Sequence, residues 1–422
     1  MGNIIFDDTS WYNFVPLTYT RPVFDLKMGA FTPIEWQSPD VLKLLVRDQL
    51  ADITKERHPN CVVNNPEYNN DDIIISSNFF PLKSKFLKFI QSKKKYIIAN
   101  SGKILAANLG KKDFDYLFNR IISNADIELH EFQAERIELD DASVLAGVCI
   151  YPWDIINNLE QSLIDQINSI GVQVRASLPN RGQKIGNYPL RIKDNLIIEN
   201  GTLFNTTRGP IYIGSNVNLQ QCHLSGPLYI DDDAKIKAFT ILNNSYIGKE
   251  CRVSGEIDSC IVSSFSNKAH DGYLGHSYVG EWVNLGANTT TSDLKMTYGK
   301  ISINSYNGRK LNTNMMKLGS FFGDMSKSSI NTSIFGGRRI GVSSHIYGLV
   351  AKDVPSYVIN GSGIGAEDVE LDIDSAIETQ SRMMSRRKII MTSAYVAMMR
   401  DVFSMTSFER QDKGIRKEMF KI

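Results

Sequence analysis

An imidazole that titrates near neutrality is the side chain best suited to take a proton from an attacking amine or hydroxyl. Acyl transfer from a thioester requires that proton step, and His270 is a candidate base. The alternative is a histidine that only fills a loop, because fold and motif alone guarantee no activity. Carboxylates or carbonyls arranged around a site could hold Mg²⁺, and Asp7, Asp8, Asp71 and Asp72 are candidates, each equally an ordinary turn or capping residue. Cys61, Cys149, Cys222, Cys251 and Cys260 are odd in number and form no C-x-x-C pair, which argues against a disulfide framework or a zinc site. They read as reduced, mostly buried, small apolar residues. Arg382, Arg386, Arg387 and Lys388 could meet phosphates, although a solvated basic face is the simpler reading.

Lys+Arg 47 against Asp+Glu 46 leaves a net charge of +1, so no global field gathers nucleic acid or anionic membrane. Any phosphate ligand needs a local site. The hydrophobic share of 42% and charged share of 22% are ordinary for soluble proteins. No apolar run approaches the roughly 18 residues that span a bilayer. The opening Met1-Gly2-Asn3-Ile4-Ile5-Phe6-Asp7-Asp8 lacks a basic n-region and a long apolar stretch, so the expectation is a cytoplasmic protein without membrane insertion.

A chain of 422 residues exceeds what one core usually organises. Up to about residue 180, short apolar runs such as Ile73-Ile74-Ile75 and Tyr96-Ile97-Ile98-Ala99 alternate with helix-like segments, Val41 to Leu50 and Ile155 to Ile170. Alternating strands and helices imply an α/β layer structure. A boundary is expected near Pro179-Asn180-Arg181-Gly182. Beyond it an aliphatic or aromatic residue followed by a small or polar one recurs, as in Ile213-Gly214, Ile230-Asp231, Ile247-Gly248, Val279-Gly280 and Ile340-Gly341. The step is six: Phe322, Ser328, Ile334, Ile340 and Ile346 share one phase. Each unit then forms a short strand plus a turn with its lead side chain inward, which winds the chain into a left-handed parallel β-helix from about 190 to about 360. An antiparallel sandwich would alternate by two instead. From Asp374, Ile377, Met384, Met391, Met398 and Met405 fall at steps of seven, an amphipathic helical tail whose methionines read as docked packing.

The stretch Asn267-Lys268-Ala269-His270-Asp271-Gly272-Tyr273-Leu274-Gly275, with Val279 to Thr289 and Ala351-Lys352-Asp353-Val354-Pro355, resembles the bifunctional N-acetylglucosamine-1-phosphate uridyltransferase/glucosamine-1-phosphate acetyltransferase (GlmU-like) family. Pro16-Leu17-Thr18-Tyr19-Thr20-Arg21-Pro22 and Tyr151-Pro152-Trp153-Asp154 resemble a bacterial sugar nucleotidyltransferase branch of it. The resemblance implies that His270 is the catalytic base, that Tyr273 and Asn284 contact a sugar phosphate, and that a backbone group at Ala287 contacts the acetyl-CoA thioester. A backbone N–H there would stabilise a tetrahedral oxyanion. For Tyr273 and Asn284 the alternative is packing and turn capping.

The chain also departs from the family. Thr240 and Asp258 stand where the family has an arginine and a lysine for the sugar phosphate, which undermines glucosamine 1-phosphate as acceptor. Thr291 to Met296 replace the family's Asn-Tyr-Asp-Gly loop. In the N-terminal half the glycine-rich phosphate loop of active nucleotidyltransferases is missing, and Phe14 to Thr20 take its place. Arg21 and Lys27 remain at about the spacing at which the family neutralises phosphates in nucleotidyl transfer.

The expected architecture is an α/β, Rossmann-like nucleotidyltransferase domain over 1–185, a left-handed β-helix over 186–372 and a helical tail over 373–422. The expected activity is transfer of an acyl group from acetyl-CoA or another acyl-CoA to a sugar phosphate or nucleotide sugar, in a homotrimer. One alternative is nucleotidyl transfer at the N-terminal domain alone, with Mg²⁺ and an NTP. The other is a non-catalytic trimeric scaffold.

Overall fold

The computed structural model describes residues 3–37, 41–69, 71–79, 95–140, 145, 147–171 and 181–421. The expected boundary near 179–182 lies partly outside the described residues.

The N-terminal region is built on a seven-stranded sheet: β1 (Asn3–Phe6), β2 (Val41–Leu45), β3 (Val62–Val63), β4 (Ile73–Ser76), β5 (Tyr96–Asn100), β6 (Lys103–Asn108) and β7 (Glu135–Glu138). They lie in the order β3-β2-β1-β4-β6-β5-β7, with only β6 antiparallel to its neighbours. Among the described residues, helices α1 (Pro33–Gln37), α2 (Ala51–Arg57), α3 (Lys111–Ile122), α4 (Pro152–Asn157) and α5 (Leu159–Ser169) belong to this part. Phe114, Leu117 and Ile121 of α3 pack on Ile4, Phe6 and Ile97 at one face of the sheet. The segment Val41 to Leu50, expected to be helical, is instead β2 followed by a 3₁₀ turn at Asp48–Leu50. Leu44 and Leu45 are both fully buried, so this central strand shows none of the alternation that marks a half-buried one. Ile155 to Ile170 is helical as expected, in α4 and α5.

The second region is a left-handed parallel β-helix with three faces. Inward side chains stack coil upon coil: Ile213, Ile230, Ile247, Val262, Val279, Phe322 and Ile340 form one column on paired strands, all nearly unexposed. The step from Leu242 to Ile247 is five rather than six, and one strand, Ile241–Ile247, runs through that corner. Val279 pairs its strand with that of Phe322 although 42 residues lie between them, because an antiparallel hairpin, Ser302–Asn304 with Lys310–Asn312, is inserted there. On the first face Tyr212, Tyr229, Tyr246 and Tyr278 point outward and are buried beneath the N-terminal region, with Tyr212 and Tyr229 stacked at 4.4 Å. On the second face Asn218, Lys235, Arg252 and Asn267 point outward in register, and the column continues through Asn284, Lys327 and His345. The third face carries His223, Ile241, Glu256 and Tyr273, then Thr290, Ser333 and Leu349.

The tail is three helices: α6 (Ile373–Ser385), α7 (Ser393–Met405) and α8 (Ser407–Asp412). Asp372 and Thr392 cap α6 and α7 through side-chain oxygens that accept from Ser375 N–H and Tyr395 N–H. Met384, Met398 and Met399 are buried in the core shared with the N-terminal region, so the methionine stripe is packing. Cys149, Cys222, Cys251 and Cys260 are buried and all five cysteines are free. Among the described residues, no helix is long and apolar enough to cross a membrane.

Candidate active site

The turn 269–272 joins the second and third faces, and His270 stands on it with an exposed side chain. One coil above, Asn284 pairs with Asn267 and the Leu285 N–H donates to Asn267 O at 2.8 Å, which sets Ala287 over His270 at the same corner. The Ala287 carbonyl accepts from Asn331 N–H at 2.8 Å, whereas its own N–H has no partner among the described residues. Tyr273 and Asn284 therefore lie on different faces of the coil, either side of the His270 corner.

A residue that the sequence reading passed over holds that corner together. Lys268 occupies an inward position usually taken by an aliphatic residue, and it is 1% exposed. Its Nζ donates to the carbonyls of His270 at 2.8 Å, Asp271 at 3.0 Å and Ser254 at 3.3 Å. Burial pushes the ammonium down to about 8. The folded-state value is below the unfolded one, so the unfolded chain binds more protons between the two and stability rises with pH there. The stability difference between wild type and Lys268→Met is thus expected to move in favour of wild type as pH rises from about 8 to the ordinary lysine value of 10.5, followed by urea denaturation at each pH. A difference independent of pH would contradict it.

A second imidazole stands at the next corner. His276 Nδ1 lies 2.7 Å from Asp293 Oδ2, and Tyr273 Oη donates to the same oxygen at 2.8 Å. Burial raises the Asp293 carboxyl, but the hydrogen bonds from His276 and Tyr273 outweigh it and hold the group below its usual range. Gly275 makes room for the cluster, since a Cβ there would lie 2.3 Å from Tyr273 Oη and 2.6 Å from Asp293 Oδ2. With Nδ1 engaged, Nε2 is the ring nitrogen left for a ligand. His276 lines a cleft of about 640 Å³ whose walls include Asn243, Asp258 and Ser259 of the coil, Glu160 of α5 and Lys317. Nothing in the sequence spacing joins His276 to Asp293; the pairing arises because consecutive coils stack.

The positions of the family's phosphate cations are otherwise occupied. Thr240 is buried and its hydroxyl donates to Lys237 O, while Asp258 faces the cleft. Arg21, 6% exposed, ion-pairs with Glu281 at 2.9 Å and with Asp324, both from the β-helix. Lys27 Nζ meets Glu35 at 2.7 Å and its N–H donates to Tyr278 Oη. Both cations that the sequence offers to a nucleotide are thus used at the junction of the two regions. The bulky segment in place of the glycine loop packs into the same junction, with Phe14, Val15, Leu17 and Tyr19 nearly unexposed. Asp7 pairs with Arg47 at 3.1 Å, Asp8 accepts from Ser10 N–H and Asp72 pairs with Lys43 at 3.1 Å. Among the described residues no group of three or more His, Cys, Asp or Glu is placed to hold a metal ion.

Residues 3–172 match the sugar nucleotidyl transferase family model. A bifunctional sugar-1-phosphate nucleotidylyltransferase/acetyltransferase from Sulfurisphaera tokodaii is 22% identical over 337 residues, 79% of this chain and 71% of that protein. The bifunctional protein GlmU of Methanocaldococcus jannaschii is 28% identical over 208 residues, 49% of this chain and 45% of GlmU, so the chain spans less than half of that relative. Among solved structures, LpxA from Acinetobacter baumannii aligns at 14% identity over 54% of this chain and 92% of LpxA, with a TM-score of 0.29. The sugar nucleotidyl transferase match over residues 3–172 and the similarity to these bifunctional relatives support a GlmU-like family.

Proposed function

We propose that the chain transfers an acyl group from an acyl-CoA to a sugar phosphate or nucleotide sugar, with the chemistry at the β-helix and His270 as the base. The observation that supports this reading is the corner column: an exposed imidazole on a turn clamped by Lys268, beneath an Ala287 N–H that has no partner among the described residues. Acyl-CoA supplies the activated thioester. His270 takes the proton from the attacking hydroxyl or amine of the acceptor and returns it to the sulfur of the departing CoA. The Ala287 N–H donates to the carbonyl oxygen as negative charge develops on it. The bifunctional relatives support a transferase of sugar phosphates in general terms.

The test is release of CoA thiol with acetyl-CoA and a panel of sugar 1-phosphates and nucleotide sugars. Release with at least one acceptor is expected. Silence across the panel, with no calorimetric heat from any member, would leave a scaffold. Nucleotidyl transfer has its own assay, pyrophosphate release from NTP and Mg²⁺, and the duties of Arg21 and Lys27 at the junction argue against it.

A second reading rests on one observation, the carboxylate behind His276: that imidazole is oriented as a base is, whereas His270 has no such partner among the described residues. Comparison of His270→Ala with His276→Asn decides between them.

The acting form is a homotrimer in this proposal, closed through the third face. Ile241, Phe335 and Leu349 stand on it 41%, 47% and 48% exposed. A β-helix flank offers the flat surface that a closed ring needs. Leu349→Glu is expected to shift the mass in solution from trimer to monomer, read by light scattering; an unchanged mass would place the contact elsewhere.

A further inference from the structure

The second face of the coil carries Arg252, Asn267, Asn284 and Lys327 outward on successive rungs. The last turn of α6 lies over them, and the groove between is about 410 Å³, lined also by Arg386 and Arg387. The sequence presents Arg382, Arg386, Arg387 and Lys388 as a solvated basic face, but the structure separates them. The Arg387 side chain is 7% exposed and donates to Asn267 Oδ1 at 3.0 Å.

These cations are poorly balanced. Glu250 approaches Arg387 at 3.6 Å, and Arg382 is paired with Glu378 on its own helix. Arg252 and Lys327 have no carboxylate within ion-pair distance among the described residues, and the buried Nε of Arg252 has no hydrogen-bond partner. Lys327 Nζ donates to Met325 O at 2.7 Å. Burial, then the neighbouring Arg252, hold the Arg387 guanidinium below its ordinary value, and burial brings Lys327 down to about 8. Like charges gathered out of water at one place cost stability unless a counter-charge joins them. A phosphate oxygen accepts from guanidinium and ammonium donors alike, and arginine matches it with two parallel bonds.

We propose that this groove binds a phosphate-bearing ligand, with Arg252, Lys327 and Arg387 as its charge partners and the amides of Asn267 and Asn284 as its neutral donors. The inference is independent of which imidazole serves as base and of whether acyl transfer occurs. Two kinds of ligand share the chemistry: the diphosphate of a nucleotide or nucleotide sugar, and the 3′-phosphate of CoA.

Calorimetry on the full chain with inorganic pyrophosphate, at fixed ionic strength, tests it without an acyl acceptor. Saturable binding is expected, weakened at least tenfold in Arg252→Gln and in Lys327→Gln and unaltered in Arg208→Gln, an exposed arginine at the other cleft. Thermal melting guards against misfolding. Each groove variant is expected to melt at or above the wild type when no anion is present, because repulsion is relieved, and pyrophosphate is expected to raise the melting temperature of wild type and of Arg208→Gln but not of the groove variants. UDP against uridine, and CoA against dephospho-CoA, then identify which phosphate the groove takes. No saturable heat with pyrophosphate, or equal binding in all three variants, overturns the proposal. So does a lower melting temperature of both groove variants without anion, which would make the cluster structural.

Discussion

Replacing His270 by alanine is expected to lower acyl transfer by roughly 10²- to 10⁴-fold, the usual contribution of a positioned general base. The melting temperature should hardly move. The His270 side chain is exposed and forms no hydrogen bond or ion pair among the described residues, and surface substitutions of that kind usually stay within about 0.5 kcal/mol. The turn beneath it is held by the Lys268 ammonium through backbone carbonyls, which the substitution leaves intact. Activity lost at constant stability is therefore the signature of chemistry, measured as CoA thiol release beside a thermal melt. His276→Asn should have a small effect on the rate if His270 is the base. A large loss in His276→Asn with His270→Ala near wild type would move the base to the Asp293-supported imidazole.

Arg21→Met is expected to cost about 3–5 kcal/mol, because removing one member of a buried ion pair leaves its partners charged and unmatched. Arg21 and Asp324 are 6% and 3% exposed, and Glu281 lies 2.9 Å from the guanidinium. Asp324 accepts further from Thr20 Oγ1 at 2.6 Å and from Glu281 N–H at 2.8 Å, so one carboxylate gathers donors from both regions of the chain. Urea denaturation is expected to show the lost stability, and adding Glu281→Gln to Arg21→Met should restore part of it. Burial raises the Glu281 carboxyl, but Arg21 outweighs that and keeps it below its ordinary value of 4.5. A depressed folded-state value means the contribution is present above about pH 4.5 and is lost as the pH falls through the folded-state value, so the gap between wild type and Arg21→Met should narrow in acid. A loss below about 1 kcal/mol, the range of exposed pairs, would show that the junction is held by its aromatic packing alone.

The use of Arg21 shows why the N-terminal half was harder to read than the coil. Its distance along the chain from Lys27 fits phosphate binding as well as it fits ion pairing, and only the arrival of Glu281 and Asp324 from more than 250 residues away decides the matter. The segment Val41 to Leu50 misleads for a related reason, since a strand buried on both sides has no period to reveal it. Lys268 escaped notice because an inward lysine looks like a break in the repeat, and its value lies in three carbonyls at a turn.

The repeat itself was legible from residue types alone. A lead aliphatic residue every sixth place suffices to make a chain climb in three-sided coils, because each unit can bury its apolar side chain only against the unit above and below. The α/β alternation and the methionine-striped tail were readable on the same local terms, whereas His270 was singled out by its resemblance to a family motif. What stands beside what across the coil was left to the tertiary structure: the Asp293 carboxylate behind His276, the Ala287 N–H one coil above His270 without a partner among the described residues, and the arginines at and just beyond the end of α6 laid over Arg252 and Lys327. Those contacts depend on coil length, on the inserted hairpin and on where the tail docks, and local spacing carries no record of any of the three.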